Sequence, residues 1–129
     1  MIVVDAAALV AIADLEPDGA RYLERIGQAS SAVISAINAV EAGIVLIGRN
    51  RLRDTAELDQ WLQDLAIDVE PSAAFADVLV AYMTFGRGRH PARLNIADCF
   101  AYALARSLDA PLLYKGDDFA GTDVRSALG

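Results

Sequence analysis

Four short apolar runs, each separated from the next by a stretch of helical periodicity, constrain this chain more than anything else in it. They cover residues 1–4, 32–34, 67–69 and 111–114. A run of that length reads as a strand buried on both faces. The segments between them are long enough for the crossovers that parallel strands require. The pattern therefore predicts an α/β fold with a short parallel sheet flanked by helices. At 129 residues the length suits a single domain, 1–129.

Helices are expected over residues 6–15, and over 18–29 with Asp18 as cap and Tyr22, Leu23 and Ile26 on one face. A third, 35–48, carries Ile37, Val40, Ile44, Val45 and Ile47. Asp54 caps a fourth, in which Leu58, Trp61, Leu62 and Leu65 recur at helical spacing. A fifth starts at Pro71 and Ser72 and runs to about Phe85. Residues 86–93, GRGRHPAR, form a loop, and Val124 adds a short edge strand.

The last long helix, 94–107 (LNIADCFAYALARS), is apolar on nearly every side yet contains Asp98. Asn95 is placed to cap it. A carboxylate on a buried helix is costly unless something pairs or coordinates it. Other carboxylates stand where a plain fold does not require them. Asp5 follows the first strand, Glu41 lies one turn from both Ile37 and Val45, and Asp117 and Asp118 follow the last strand. Ligands of open parallel sheets gather beyond the carboxyl ends of the strands, so these acids are expected to meet in one cavity. Packed like charges repel, and a divalent cation with a taste for oxygen, Mg²⁺ or Mn²⁺, relieves that repulsion. The chemistry such a site supports is metal-assisted phosphodiester hydrolysis.

Each acid also has a plainer reading. Asp5 caps the next helix, Asp98 complements the helix dipole, Glu41 sits on a solvated edge, and one of Asp117 and Asp118 is a turn residue. His90 is the only histidine and Cys99 the only cysteine, which argues against a zinc site or a Cys/His nucleophile. The lone cysteine excludes an internal disulfide and suits a reducing, cytoplasmic setting. No apolar run reaches the length of a membrane span. The net charge of −7 argues against binding nucleic acid by field strength alone, but the basic residues are clustered. Arg49, Arg51 and Arg53 form one group, and Arg87, Arg89 and Arg93 another. Flanking the acidic cavity, they would grip phosphates.

The segments MIVVDAAALVAI, ISAINAVEAGIVL, LNIADCFAYALA and LLYKGDDF, in that order, resemble the PIN-domain ribonucleases, and within them the VapC toxins of type II toxin–antitoxin systems. The resemblance implies a three-layer PIN-like fold and a Mg²⁺- or Mn²⁺-dependent endoribonuclease acting on RNA. It places the family's acidic positions on Asp5, Glu41, Asp98 and Asp117, with Asp118 the alternative to Asp117. Asp5 and Asp98 are the implied direct metal ligands. Glu41 and the Asp117 region are implied to hold a second ion or the attacking water, and Asn38 to orient Glu41 or a bound water. Beside what the resemblance implies, Arg49, Arg87, Arg89 and Arg93 stand from the clustering alone as candidate RNA contacts. A VapB-like antitoxin whose tail blocks the site, and a homodimer formed through the early helices, are implied as partners. One departure stands out: Ala7 occupies a position where the family usually has Ser or Thr. It favours the alternative, a weak or inactive module that mainly binds its antitoxin, and DNA through it. A signalling receiver domain fits less well, because Asp54 follows a basic turn and not an apolar strand. An aspartate-nucleophile phosphatase would need a second Asp at position 7.

Overall fold

The computed structural model describes residues 1–71 and 74–129. Within them β1 (Ile2–Val4), β2 (Ala32–Ser35), β3 (Ile67–Glu70) and β4 (Leu112–Leu113) form one sheet in the order β3-β2-β1-β4. Every pairing is parallel: Ile2 lies opposite Ala32, Val3 opposite Leu112, and Ala32 opposite Ile67. α1 (Ala6–Ala13) and α2 (Gly19–Gln28) join β1 to β2, and α3 (Ala36–Gly48) and α4 (Thr55–Asp64) join β2 to β3. α5 (Phe75–Phe85) and α6 (Ile96–Ser107) lead into β4, and a 3₁₀ turn follows at Phe119–Gly121.

Side chains alternate across a strand, and β1 shows it directly. Ile2 and Val4 pack with Leu9, Tyr22, Ile26, Leu46, Leu58 and Leu62 of the first four helices. Val3 points the other way, to Val78, Ala81, Cys99, Ala101 and Leu112. The expected three layers follow, with helices on both faces of a parallel sheet. The chain moves outward from β1 through β2 to β3, then returns to place β4 on the other side of β1. That reversal marks the carboxyl ends of β1 and β4 as the crevice where a sheet of this kind takes its ligands.

Several local expectations need correction. Asp18 sits at the start of α2 with helical backbone angles, so its side chain makes no capping bond. It accepts a hydrogen bond from the Tyr22 hydroxyl at 2.9 Å instead. Leu23, Val40, Ile44 and Ile96, expected on inner faces, are exposed. Gly19, Tyr22 and Ile26 carry the inner face of α2. The fifth helix begins at Phe75; the expected start at Ser72 lies outside the described residues. The edge beyond β4 is made by Ser126 and not Val124. Leu112 donates to the Arg125 carbonyl at 2.8 Å and accepts from the Ala127 N–H at 2.9 Å. Asp54 does cap α4, accepting from the Glu57 N–H at 2.9 Å.

Candidate active site

The crevice at the carboxyl end of β1 is where the acids gather. Asp5 is the first residue beyond β1, and its N–H still bonds the Leu113 carbonyl at 2.9 Å, so the sheet itself fixes its place. It is 5% exposed and makes no side-chain capping bond to α1. Burial pushes its carboxyl up from the usual 3.8 to about 7. The charges of Asp98 and Glu41 add to that, and the nearby Ala6 and Ala7 amides oppose it. A buried carboxylate facing two others is the situation in which a cation is worth most.

Asp98 does two things at once. Asn95 caps α6 by accepting from the Asp98 N–H at 2.8 Å, and Asp98 Oδ2 accepts from the Asn95 N–H at 3.0 Å. This reciprocal capping box accounts for one carboxylate oxygen and leaves Oδ1 without that duty. Burial raises the Asp98 carboxyl, the Asn95 N–H opposes the shift, Glu41 and Asp118 raise it further, and Arg87 lowers it. The dipole-complementing reading of Asp98 is thus correct for one oxygen and silent on the other.

Asn38 ties α3 to α6. It is fully buried, and its Nδ2 donates to Glu41 Oε1 and to the Ala97 carbonyl, both at 3.0 Å. Glu41, half-buried on α3, is thereby held next to the helix that carries Asp98. Asn38 Oδ1 has no hydrogen-bond partner, and an orphaned buried acceptor marks a place for a water or a ligated solvent molecule. Ser35, buried at the end of β2, lines the same end of the sheet. Its sequence signal, a polar residue closing an apolar run, was open to reading as a helix start.

The remaining expected residues divide. Asp118 opens the 3₁₀ turn without a side-chain bond, and its charge reaches Asp98. Asp117 is exposed beside it. Arg87 lies near enough to act on Asp98. Arg49 does not flank the site. It ends α3, about 12 Å of helix rise beyond Glu41, and pairs with Asp14, as does Arg51 at 2.8 Å. Arg89 and Arg93 are exposed in the loop 86–93.

Among the described residues no three His, Cys, Asp or Glu side chains form a ready cage for an ion. The donors that do converge are hard carboxylate oxygens with one orphaned amide oxygen behind them. Such a set fits Mg²⁺ or Mn²⁺ bound by one or two carboxylates, with water completing the shell.

Comparison with known proteins places one family over nearly the whole chain. The model of the PIN domain family matches residues 2–124. Ribonuclease VapC30 of Mycobacterium tuberculosis is 40% identical over 125 residues, 95% of each chain. Ribonuclease VapC28 of the same organism is 39% identical over 130 residues, 98% of each chain. Among solved structures, VapC20 of M. tuberculosis, a sarcin–ricin loop cleaving toxin, matches with a TM-score of 0.72 at 18% identity, covering 97% of this chain and 99% of its own. PAE2754 of Pyrobaculum aerophilum matches with a TM-score of 0.65 at 22% identity, covering 96% and 86%. These two likenesses show the fold.

Proposed function

We infer the working parts of this chain from the premise that it belongs to the PIN-domain family and, within it, to the VapC ribonucleases. It is an endoribonuclease toxin that hydrolyses RNA phosphodiester bonds. The observation that carries the assignment of residues is the Asp5 carboxyl, buried at the end of β1 with Asp98 and Glu41 close enough for their charges to act on it. It is a site short of positive charge.

Asp5 and Asp98 would hold Mg²⁺ or Mn²⁺, Asp98 through the oxygen its capping box leaves free. The ion supplies Lewis-acid stabilisation of the phosphodiester and lowers the pKa of water. Glu41 receives an N–H on Oε1 from Asn38, which leaves Oε2 to accept a proton from the attacking water. Asn38 Oδ1 orients a water at the same point. Asp118, whose charge acts on Asp98, is preferred to Asp117 as the fourth acid. Ala7 offers no hydroxyl to a bound water, and a lost bond of that kind costs about 10–100-fold in metal affinity or activity. The carboxylates themselves are intact, so the binding-only alternative gains nothing from the geometry.

A VapB-like antitoxin is the proposed partner. A homodimer is proposed as well, and the surface that supports it is α5 in place of the early helices. Phe75, Leu79, Val80 and Met83 are 82%, 54%, 64% and 51% exposed, while Val78 and Ala81 are buried behind them. A helix apolar on both faces is ordinarily a covered helix. Among the described residues no helix is long and apolar enough to cross a membrane, and the proposed setting is the cytoplasm.

The test is cleavage of a mixed RNA pool by antitoxin-free protein with Mg²⁺, Mn²⁺ or EDTA, beside Asp98→Asn. The amide oxygen of Asn preserves the capping acceptor, so the variant should fold. Cleavage that requires metal and vanishes in the variant is the expected result. Cleavage that survives both EDTA and the substitution would remove the carboxylates from the mechanism.

A further inference from the structure

An RNA substrate approaching a chain of net charge −7 needs cations that are not already engaged. Most are. Arg49 and Arg51 are held by Asp14, Arg53 by Glu57, Arg106 by Asp123, Arg125 by Asp109, and Lys115 by Glu16. Arg25 donates to the Ala127 carbonyl at 2.8 Å. Among the described residues Arg21, Arg87, Arg89 and Arg93 alone have no side-chain hydrogen bond or ion pair, and the last three share the loop 86–93.

That loop is built and not slack. Arg87 donates its N–H to the Leu94 carbonyl at 2.9 Å and Leu94 donates to Phe85 at 3.0 Å, closing a bridge between Gly86 and Leu94. The Arg89 and His90 amides converge on the Gly86 carbonyl at 3.0 and 3.1 Å. His90 Nδ1 accepts from the Ala92 N–H at 3.0 Å, and its ring stands edge-on to Phe85 with centroids 5.0 Å apart. A Cβ on Gly86 would fall 2.3 Å from the Tyr82 carbonyl oxygen, so no other residue fits there without a shift. Leu94 leads straight into Asn95, whose N–H binds Asp98. One run of backbone bonds therefore carries Arg87 from its own turn to the capping box of the acidic site.

We propose that the 86–93 loop is a preformed clamp for the RNA sugar–phosphate backbone, with Arg87 on the scissile phosphate and Arg89 and Arg93 on phosphates beside it. The proposal rests on the ribonuclease site described above. Arg87 makes and breaks no covalent bond. Its guanidinium stays protonated and offers a planar fork of N–H donors to the non-bridging oxygens as negative charge gathers on them. Rigidity matters because the bonded backbone fixes where the Arg87 stem leaves the loop beside the acids, so less of the loop has to be ordered when RNA binds.

The experiment compares the parent protein with Arg87→Ala, Arg87→Lys, Arg89→Ala and Asp98→Asn in single-turnover cleavage of a random-sequence single-stranded RNA pool, across RNA and salt concentrations. A thermal melt with and without Mg²⁺ is run on each. Arg87→Ala is expected to melt like the parent, to keep its Mg²⁺-dependent rise in Tm, and to cut about 100-fold more slowly at saturating RNA. Arg87→Lys is expected to recover half-saturation but not rate, since an ammonium cannot make the forked contact. Arg89→Ala is expected to raise half-saturation several-fold and to reduce the salt slope by about 0.7. Parental cleavage at saturation by Arg87→Ala overturns the proposal. So does loss of the Mg²⁺ response in that variant, which would make Arg87 a prop for the acids. Parental cleavage by Asp98→Asn would instead sink the site on which the proposal stands.

Discussion

Asp5 ties ionisation, folding and metal binding together at a single residue. Its carboxyl titrates near 7 in the folded chain against 3.8 ordinarily. Between those values the folded state keeps a proton that the unfolded state has released. Its contribution to stability therefore falls as pH rises from about 4 to about 7 and is lowest above that. In EDTA at about pH 8, Asp5→Asn should raise Tm by several degrees, a gain on the order of 2–4 kcal/mol at most, and in Mg²⁺ it should abolish cleavage. Mg²⁺ should raise the parent's Tm more at about pH 8 than at about pH 6, because the ion binds the ionised form, and should leave the variant unmoved. A variant no more stable than the parent at high pH would show that Asp5 is not electrostatically strained. The acids at strand ends and in apolar helices were legible in the sequence because burial makes a carboxylate conspicuous there. Asp117 and Asp118 stay alternatives in the sequence, since two adjacent turn residues differ only in where the turn aims them. The orphaned oxygen of Asn38 was also hidden, because it depends on α6 bringing the Ala97 carbonyl to the amide nitrogen.

Among the helices, the ends proved harder to read than the interiors. Asn95 and Asp54 cap as their position before an apolar run suggests, but Asp18 adopts helical angles and bonds Tyr22 instead. Exposed Val40 and Ile44 mislead for a different reason. α3 is apolar almost throughout, so periodicity cannot say which side meets the sheet. The groove of about 620 Å³ lined by Val40, Ile44, Leu58 and Val69 is the result. Four helices end at a residue in the left-handed region that is not glycine: Leu15 (φ 54°), Asn50 (59°), Ala66 (55°) and Asp109 (49°). The bonds Glu16 N–H to Ala11, Arg51 N–H to Leu46 and Ala110 N–H to Ala105 close three of these turns, in the pattern glycine normally serves. Leu15 is 89% exposed and loses no packing when truncated. Leu15→Gly should therefore stabilise the chain by about 0.5–1 kcal/mol, read from urea midpoints, and Leu15→Val should destabilise it. Equal midpoints for the two would remove backbone strain as a cost at this turn.

Across the molecule, the parallel sheet and its two helical layers follow from the spacing of four apolar runs, and the crevice follows from the strand order. What the sequence concealed is how the sheet ends. β4 has two residues, yet Leu112 is flanked by Val3 on one side and by residues 125–127 on the other. Arg25 fastens Ala127 in turn. Residues 116–118, with Asp117 and Asp118, are exposed between this short strand and Phe119, which is buried in the core. If residues 125–127 let go, Leu112 loses both backbone bonds on that side and β4 is held by β1 alone. An opening at this edge would loosen the turn that carries Asp117 and Asp118 before the interior of the sheet gives way. In hydrogen exchange, the Leu112 and Ala127 amides should open together and well before that of Ile2, which bonds Ser31 within the interior pairing. A chaperone or protease that acts on such partial openings would silence the nuclease while most of its fold is still standing.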